Sequence, residues 1–302
     1  MDIKKRNFIF NIPDEAIRTV SAERLEENLK AAHKALLAAD AVVIGGGSGL
    51  SSSCGYNHYH HTDFFAENFG DYEELYGFDN LFAGMNHVFS SPEEQLAFHA
   101  RYIRCMNQEQ PGDAYLFLKN ILGNLPYFIL TTNVDTQFSK VFPDDRIWTF
   151  QGDVRYLQCC QPCHDSLYDA LNPAEQMVQE TKNYRIPHDF LPRCPECGRI
   201  MVPWVRDDAF LQGSDWQKQK EAYEAFLRQY SDKNIVFLEL GVGDMTPAVI
   251  KFPFWEMTAR MEHAVLISIN SGKTSTPEHI QKKSIPLTMD LTDALKRLNE
   301  LF

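Results

Sequence analysis

Basic residues are scarce in this chain: 29 Lys and Arg stand against 41 Asp and Glu, a formal charge of −12 at pH 7. A nucleic-acid partner would need the opposite surplus, because its affinity comes from neutralising phosphates. A small anionic ligand held by backbone amides is still allowed. No segment reaches the apolar length of a membrane span, and the apolar stretch within the N-terminal MDIKKRNFIFNIPDEAIR is too short for a signal peptide. Low-complexity runs and internal repeats are missing, and an aromatic content of 12% argues against disorder. We therefore expect a cytoplasmic protein with no nucleic-acid and no membrane partner. Five of the seven cysteines fall in two clusters, which suits metal binding better than the disulfide framework of a secreted protein.

What is present is a chain of 302 residues with 44% hydrophobic content, enough for one large domain with an appendage. Residues 14–39 read as helix, with Ile17, Val20, Leu25, Leu29, Ala32 and Leu36 on one apolar stripe. AVVI (41–44) is a continuously apolar run ending in glycines, the signature of a buried parallel strand. YFILTT (127–132), RIWTFQ (146–151), IVFLELG (235–241) and AVLISIN (264–270) read as further strands. Helical stretches at 92–106, 112–123, 214–230 and 289–301 separate most of them. The alternation predicts an α/β fold, a Rossmann-like doubly wound parallel sheet. Two regions break it: 56–110 reads as a helical insertion, and 152–210 as a small loop-rich zinc-binding module. That leaves 1–151 and 211–302 for the Rossmann-like domain.

The first motif is IGGGSGLSSSCG (44–55), a strand running into small residues and then into a helix. Glycines let the backbone approach a phosphate closely, so Gly45 to Gly49 are assigned as the pyrophosphate cradle of a dinucleotide such as NAD. Leu50 stands where a third glycine would be, and no acidic residue stands out about 20 positions later for the ribose. The second motif pairs Cys194-Pro-Glu-Cys197 with Cys159-Cys160-Gln-Pro-Cys163. The second cluster supplies either Cys160 or Cys159 together with Cys163, and four thiolates from two knuckles make a closed, structural zinc site. Our assignment is Cys159, Cys163, Cys194 and Cys197, with Cys160 as the alternative to Cys159 and His164 as a substitute ligand. TTNVD (131–135) follows a strand, where Asn133 and Asp135 can enter a ligand cleft or simply cap the next helix. FQGD (150–153), GVGD (241–244) and Asn270 also end strands.

Taken in order, these features resemble the sirtuin family over residues 20–300. Gly47-Ser48-Gly49-Leu50-Ser51 with Gly55 resembles that family's GAG-x-S…SGIP segment, and TTNVD its TQNID. The four-cysteine module follows in place, and Gly241-Val242-Gly243 and Asn270 resemble the later ribose- and adenine-side loops. Two departures stand out. Tyr56-Asn57-His58-Tyr59-His60 replaces IPDFR, and Gln151-Gly152 replaces the catalytic HG. Glutamine does not titrate near neutral pH, so it can orient a ribose but cannot act as the base of the deacylase mechanism. Loss of nicotinamide needs positioning and electrostatics more than a base.

This pattern resembles the class M, macrodomain-linked sirtuins, as do FFAENFGDYEELYGF (64–78), LELGVG (238–243) and KFPFW (251–255). The resemblance implies an NAD-dependent protein ADP-ribosyltransferase, of the glycosyltransferase class, with NAD as substrate and zinc as a structural ion. It implies that Asn133, Gln151 and Arg206 carry the active site. Asn133 would orient the ribose or the attacking group, Gln151 bind ribose hydroxyls, Arg206 guide the acceptor and Asp135 hold the nicotinamide carboxamide. Gly45, Gly46, Gly47, Ser48, Gly49, Ser51, Tyr59, Gly241, Val242, Gly243 and Asn270 complete the expected cofactor set. The implied partners are a lipoylated carrier related to the glycine-cleavage H protein, as acceptor, and a macrodomain hydrolase that reverses the transfer. Two other readings stand beside this one: a deacylase drawing its base from His58, His60 or His61, and a non-catalytic NAD or ADP-ribose sensor.

Overall fold

The computed structural model describes residues 22–302 except 273 and 275. The helix expected over 14–39 is observed as α1, Ala22–Leu37, and its expected start lies outside the described residues. Leu29, Ala32 and Leu36 are buried, so the apolar stripe faces the core as its spacing requires. The sheet that α1 covers is built from β1 (Ala41–Gly46), β2 (Tyr127–Thr131), β3 (Ile147–Thr149), β7 (Ile235–Leu240), β8 (Val265–Asn270) and β9 (Ser284–Thr288). Its order is β3-β2-β1-β7-β8-β9, and every pair in it is parallel. Strand order reverses between β1 and β7, and in such sheets the crevice beyond the carboxyl ends at that point receives ligands.

Helices cover both faces. One core joins the sheet to α1, α6 (Asp113–Leu122) and α10 (Leu291–Asn299) through residues such as Leu36, Leu118, Ile44, Leu238 and Leu295. The other joins it to α8 (Ser214–Gln229) and α9 (Lys251–Arg260) through Val43, Phe237, Phe226 and Phe254. β9 was not expected. Its Pro286 cannot donate to a ladder, which confines such a strand to the edge, where it lies.

The expected insertion over 56–110 contains α3 (Asp63–Tyr76), α4 (Leu81–Met85) and α5 (Pro92–Gln108) after the short α2 (Ser48–Ser53). Their starts are set locally: Thr62, Asn80 and Ser91 each accept a backbone N–H three residues on, and Pro92 opens α5. The region over 152–210 is more ordered than the loop-rich module expected. β4 (Gly152–Cys159), β5 (Tyr168–Asp169) and β6 (Met201–Val205) form an antiparallel sheet in the order β5-β4-β6, joined by α7 (Leu171–Glu180). The strand expected over 146–151 likewise ends at Thr149, and the chain turns at Phe150–Gln151 into the second sheet.

Insertion and module share one core. Phe65, Phe69, Tyr72 and Phe98 of the insertion bury against the same cluster as Val154, Leu157, Ala174 and Met177. Glu94 of α5 is buried and meets Arg185 at 2.6 Å, fastening the two across the seam. No helix among the described residues is long and apolar enough to cross a membrane.

Candidate active site and metal centre

The glycine turn begins later than its composition suggests. Gly45 and Gly46 complete β1, and a Cβ there would strike Ile250 and Phe254 on one side and Phe138 on the other. Their lack of side chain therefore serves helix–sheet packing. The turn proper is Gly47 to Gly49, and it lies against the loop that ends β7. Gly47 N donates to Leu240 O at 2.9 Å and Gly49 N to Gly241 O at 2.9 Å. A Cβ on Gly47 or Gly49 would sit under 3 Å from backbone atoms of Gly241, so two strand-end loops touch here backbone to backbone. Ser48 opens α2, and Asn270 at the end of β8 braces this contact by donating from Nδ2 to Val242 O at 3.2 Å.

TTNVD closes the other side. Thr131 Oγ1 donates to Gly46 O at 2.9 Å and accepts from Asn133 N at 3.0 Å. The Asn133 carboxamide donates to Gly47 O and to Ser51 Oγ, both at 2.9 Å, and Ser51 in turn donates to Asp135 Oδ2. With its amide protons directed at Gly47 O and Ser51 Oγ, the Asn133 oxygen has no hydrogen-bond partner among the described residues. Asp135 is 2% exposed and also accepts from Gln137 N at 3.3 Å. The phenols of Tyr102 and Tyr115 are pushed well above their ordinary range by burial, with the Asp135 charge adding to it.

Gln151 and Arg206 are far apart in sequence but are placed side by side by the β4–β6 ladder. Gly152 pairs with Val205, and Arg206 N donates to Gln151 O at 2.9 Å. Only glycine serves at 152: its φ is +92°, and a Cβ would lie 2.0 Å from Trp204 O. Phe150 N donates to Thr131 O at 3.0 Å and Val154 N to Val134 O at 3.3 Å, so the Gln151 turn is laced to the Asn133 turn. The Gln151 side chain is half-buried and forms no hydrogen bond among the described residues. The Arg206 guanidinium stacks over Phe210, Phe150 and Trp216 at 4.3, 4.7 and 5.8 Å from their centroids. Its Nη2 donates to Phe150 O at 2.8 Å. With its oxygen turned inward, the Gln212 carboxamide accepts from Nη1 at 2.8 Å and Nη2 at 3.1 Å. Arg206 is thus a caged cation, and partial burial lowers its pKa from the ordinary guanidinium value.

Among the histidines after the turn, His58 is engaged through both ring nitrogens. His58 Nδ1 lies 2.9 Å from the Tyr56 carbonyl, which can only accept, so Nδ1 carries the proton. Nε2 is then the acceptor for Tyr102 OH at 2.7 Å. Burial pushes the His58 pKa down, against the opposing pull of Asp135. His60 is exposed, and His61 Nε2 lies 3.3 Å from Glu73 Oε2. Tyr59 is half-buried with its ring 5.1 Å from that of Phe82.

At the metal centre, Cys159, Cys163, Cys194 and Cys197 bring their sulfurs within 4.8 Å of one another. Three Sγ–Sγ distances are 3.6, 3.9 and 3.6 Å. A tetrahedron with Zn–S bonds of about 2.3 Å has edges of about 3.8 Å, so the four thiols fit zinc. Cys160 is not in the group, which resolves the choice between it and Cys159. Gly198 turns the second knuckle at φ +72°, and the Arg199 backbone holds the Cys197 thiol down to about 6. His164 stands behind the sulfurs rather than among them. Its Nδ1 accepts from Ser166 N at 3.0 Å, leaving Nε2–H to face Cys194 Sγ at 3.2 Å.

Sequence reasoning passed over Gln137 and Gln212, and noted Asp153 as the end of FQGD without a role; these are buried or bridging polar groups beside the turns, for which spacing offers no signal.

No family model matches the chain. A Staphylococcus aureus protein named protein ADP-ribosyltransferase is 34% identical over 258 residues, covering 84% of this chain and 81% of that protein. A Fusarium oxysporum f. sp. cubense protein, "Probable bifunctional ADP-ribose hydrolase/ADP-ribosyltransferase", is 28% identical over 264 residues, which are 81% of this chain and 42% of that longer protein. Among solved structures, Sir2Tm bound to a propionylated peptide superposes with a TM-score of 0.59 at 19% identity, covering 90% of this chain and 98% of that one. A Sir2 homologue–NAD complex gives 0.58 at 15% identity, with 90% and 94% covered. The structures establish the fold, and the first relative establishes the lineage: this chain belongs to the sirtuin-fold protein ADP-ribosyltransferase family.

Proposed function

We propose that this protein transfers ADP-ribose from NAD to a side chain of a protein acceptor, with release of nicotinamide. The observation that supports this reading is the lacing of the Asn133, Gln151 and Arg206 turns by backbone hydrogen bonds at the carboxyl end of the sheet, with no titratable base among those three side chains. In this reading the Gly47–Gly49 turn and the Gly241–Gly243 loop hold the pyrophosphate and the adenosine side, with Ser48, Ser51, Tyr59 and Asn270 around them. Asp135 holds the nicotinamide carboxamide, Asn133 presents its free oxygen to the ribose or the attacking group, and Gln151 binds ribose hydroxyls. Arg206, kept rigid by its aromatic cage, guides the acceptor. The bond from ribose to nicotinamide breaks, and the acceptor nucleophile takes the ribose carbon. Residues 1–151 and 211–302 serve as the NAD-binding part, and 152–210 as the zinc module that closes over it. Four-thiolate zinc is structural here, since it leaves no open coordination position.

The names of the two curated relatives support the transfer chemistry. His58 weighs against deacylation, because both of its ring nitrogens are engaged and burial disfavours its protonated form. A lipoylated H-like carrier as acceptor, a macrodomain hydrolase as reversing partner and a cytoplasmic setting are the finer parts of the proposal. The test is to incubate purified protein with NAD and the lipoylated carrier, reading nicotinamide release by chromatography and the carrier's mass. A carrier heavier by one ADP-ribosyl group is expected. O-acyl-ADP-ribose formed from an acylated peptide would sink the transferase reading, and no nicotinamide release would favour the sensor. Gln151→Ala should abolish transfer while zinc content and melting temperature are retained.

A further inference from the structure

Beside the Asn133–Asp135 turn the fold buries polar groups that have no hydrogen-bond partner among the described residues. Gln137 is 0% exposed, and neither its Oε1 nor its Nε2 finds a partner. Its neighbour Thr136 is buried at φ +67°, an unfavourable region for a β-branched residue, and its Oγ1 is equally unpartnered. Both line a small cavity whose remaining wall includes Asn133, Asp135, Thr149 and Asp153. An unpaired buried amide costs roughly 1–3 kcal/mol, so a leucine would serve better at 137 if the cavity were to stay dry. The space suits a single water, and its lining offers one several polar partners, the unpaired Gln137 and Thr136 groups beside the carboxylates of Asp135 and Asp153.

We propose that this cavity binds one internal water, and that through it Gln137 is a positioning residue for the reaction centre. The water accepts from the Gln137 carboxamide and donates to the carboxylates of Asp135 and Asp153, each of which keeps a spare lone pair. Asp135 is held from its other side by Ser51, and Asp153 by Arg155 Nε at 2.9 Å. Asp135 belongs to the Asn133 turn, and Asp153 is the second residue of the strand that follows Gln151. One water would therefore tie the two turns whose spacing defines the site. Its kinetic consequence rests on the function proposed above; its existence does not.

The test has two arms on the full chain. A high-resolution crystal structure without cofactor should show a water within hydrogen-bonding distance of the Gln137 carboxamide. A dry cavity, or a carboxamide bonded directly to protein, overturns the proposal. In Gln137→Leu the water should leave and the melting temperature stay level or rise. The same variant should lose about tenfold in kcat for ADP-ribosyl transfer, with little change in KM for NAD. A water present in the wild type together with an unchanged kcat in the variant refutes the positioning role. If Gln137→Leu does not fold, the wild-type crystal structure still decides on the water. If the wild type transfers no ADP-ribose, the function proposed above falls. The displacement of Asp135 relative to Asp153 in the variant's crystal structure then decides the positioning role.

Discussion

The contact between the Gly47–Gly49 turn and Gly241 offers the sharpest perturbation of the fold at the carboxyl end of its sheet. A Cβ on Gly49 would lie 2.7 Å from Gly241 Cα and 2.8 Å from Gly241 O, where ordinary contact begins near 3.4 Å. Gly49→Ala therefore needs about 0.7 Å of separation between two backbones, neither of which has a flexible side chain to yield. Overpacking of that kind costs roughly 1–3 kcal/mol, and stretching the 2.9 Å Gly49 N–Gly241 O bond adds about 1 kcal/mol. A total near 2–4 kcal/mol corresponds to a fall in melting temperature of roughly 4–8 °C for a chain of this length. If the turn cradles the pyrophosphate, a shift of this size should also weaken NAD binding by one to two orders of magnitude (about 10–100-fold), measured by calorimetry. Gly70→Ala is the control. A Cβ there meets nothing within 4 Å, and in the interior of α3 the change should stabilise by about 0.5–1 kcal/mol. Melting curves that rank the two variants equal would refute the clash argument. So would a Gly49→Ala crystal structure with the 2.9 Å bond intact.

Two further outcomes are expected. Purified protein should carry one zinc per chain by metal analysis; Cys159→Ser should lose it with several kcal/mol of stability, while Cys160→Ser keeps both. Retention of zinc by Cys159→Ser would contradict the ligand set. Burial pushes the Glu239 carboxyl from 4.5 up to about 7, against the pull of Lys251 and with the aid of Asp244. The folded chain thus holds a proton that the unfolded chain releases. The group costs nothing below about pH 4.5, destabilises progressively from there to about pH 7, and levels off above it. Glu239→Gln should accordingly gain about 3 kcal/mol at pH 8 and little near pH 4.5, by denaturant titration. A gain independent of pH would show that Glu239 is not the cause.

Legibility in the sequence followed how local each determinant is. β1, β7 and β8 are predominantly apolar runs because both faces of the sheet are covered, and such runs stand out in any window. β4 and β6 do not stand out. Their register shifts between Asp153 and Leu157, and Pro203 interrupts β6, so neither shows the alternation that marks a strand. α9 and β9 carry Pro253 and Pro286 at positions that a proline tolerates, the first turn and the edge, but that read as breaks. The four thiols were legible as a set, since knuckle spacing is itself the determinant. The choice of Cys159 over Cys160 was not, because it depends on which of two adjacent side chains β4 turns toward the second knuckle.

The same distinction governs the site. That a glutamine stands in place of a histidine at 151 can be read from one position, yet its consequence cannot. A lost base matters only if no other base reaches the same place, and three histidines follow the glycine turn within a few residues. For His58, the least exposed of the three, the hydrogen-bond partners of the ring nitrogens decide its state. The Tyr56 carbonyl fixes the His58 proton on Nδ1, Tyr102 then occupies Nε2, and burial removes the inducement to take up a second proton. Arg206 poses the converse case, since isolated in sequence it reads as an exposed, salt-bridging residue. Its position beside Gln151 comes from antiparallel pairing across a long loop, and its rigidity from three aromatic rings on different elements. Under the function proposed above, a glutamine at 151 beside a fixed cation would place charge and orientation at the departing group rather than move a proton.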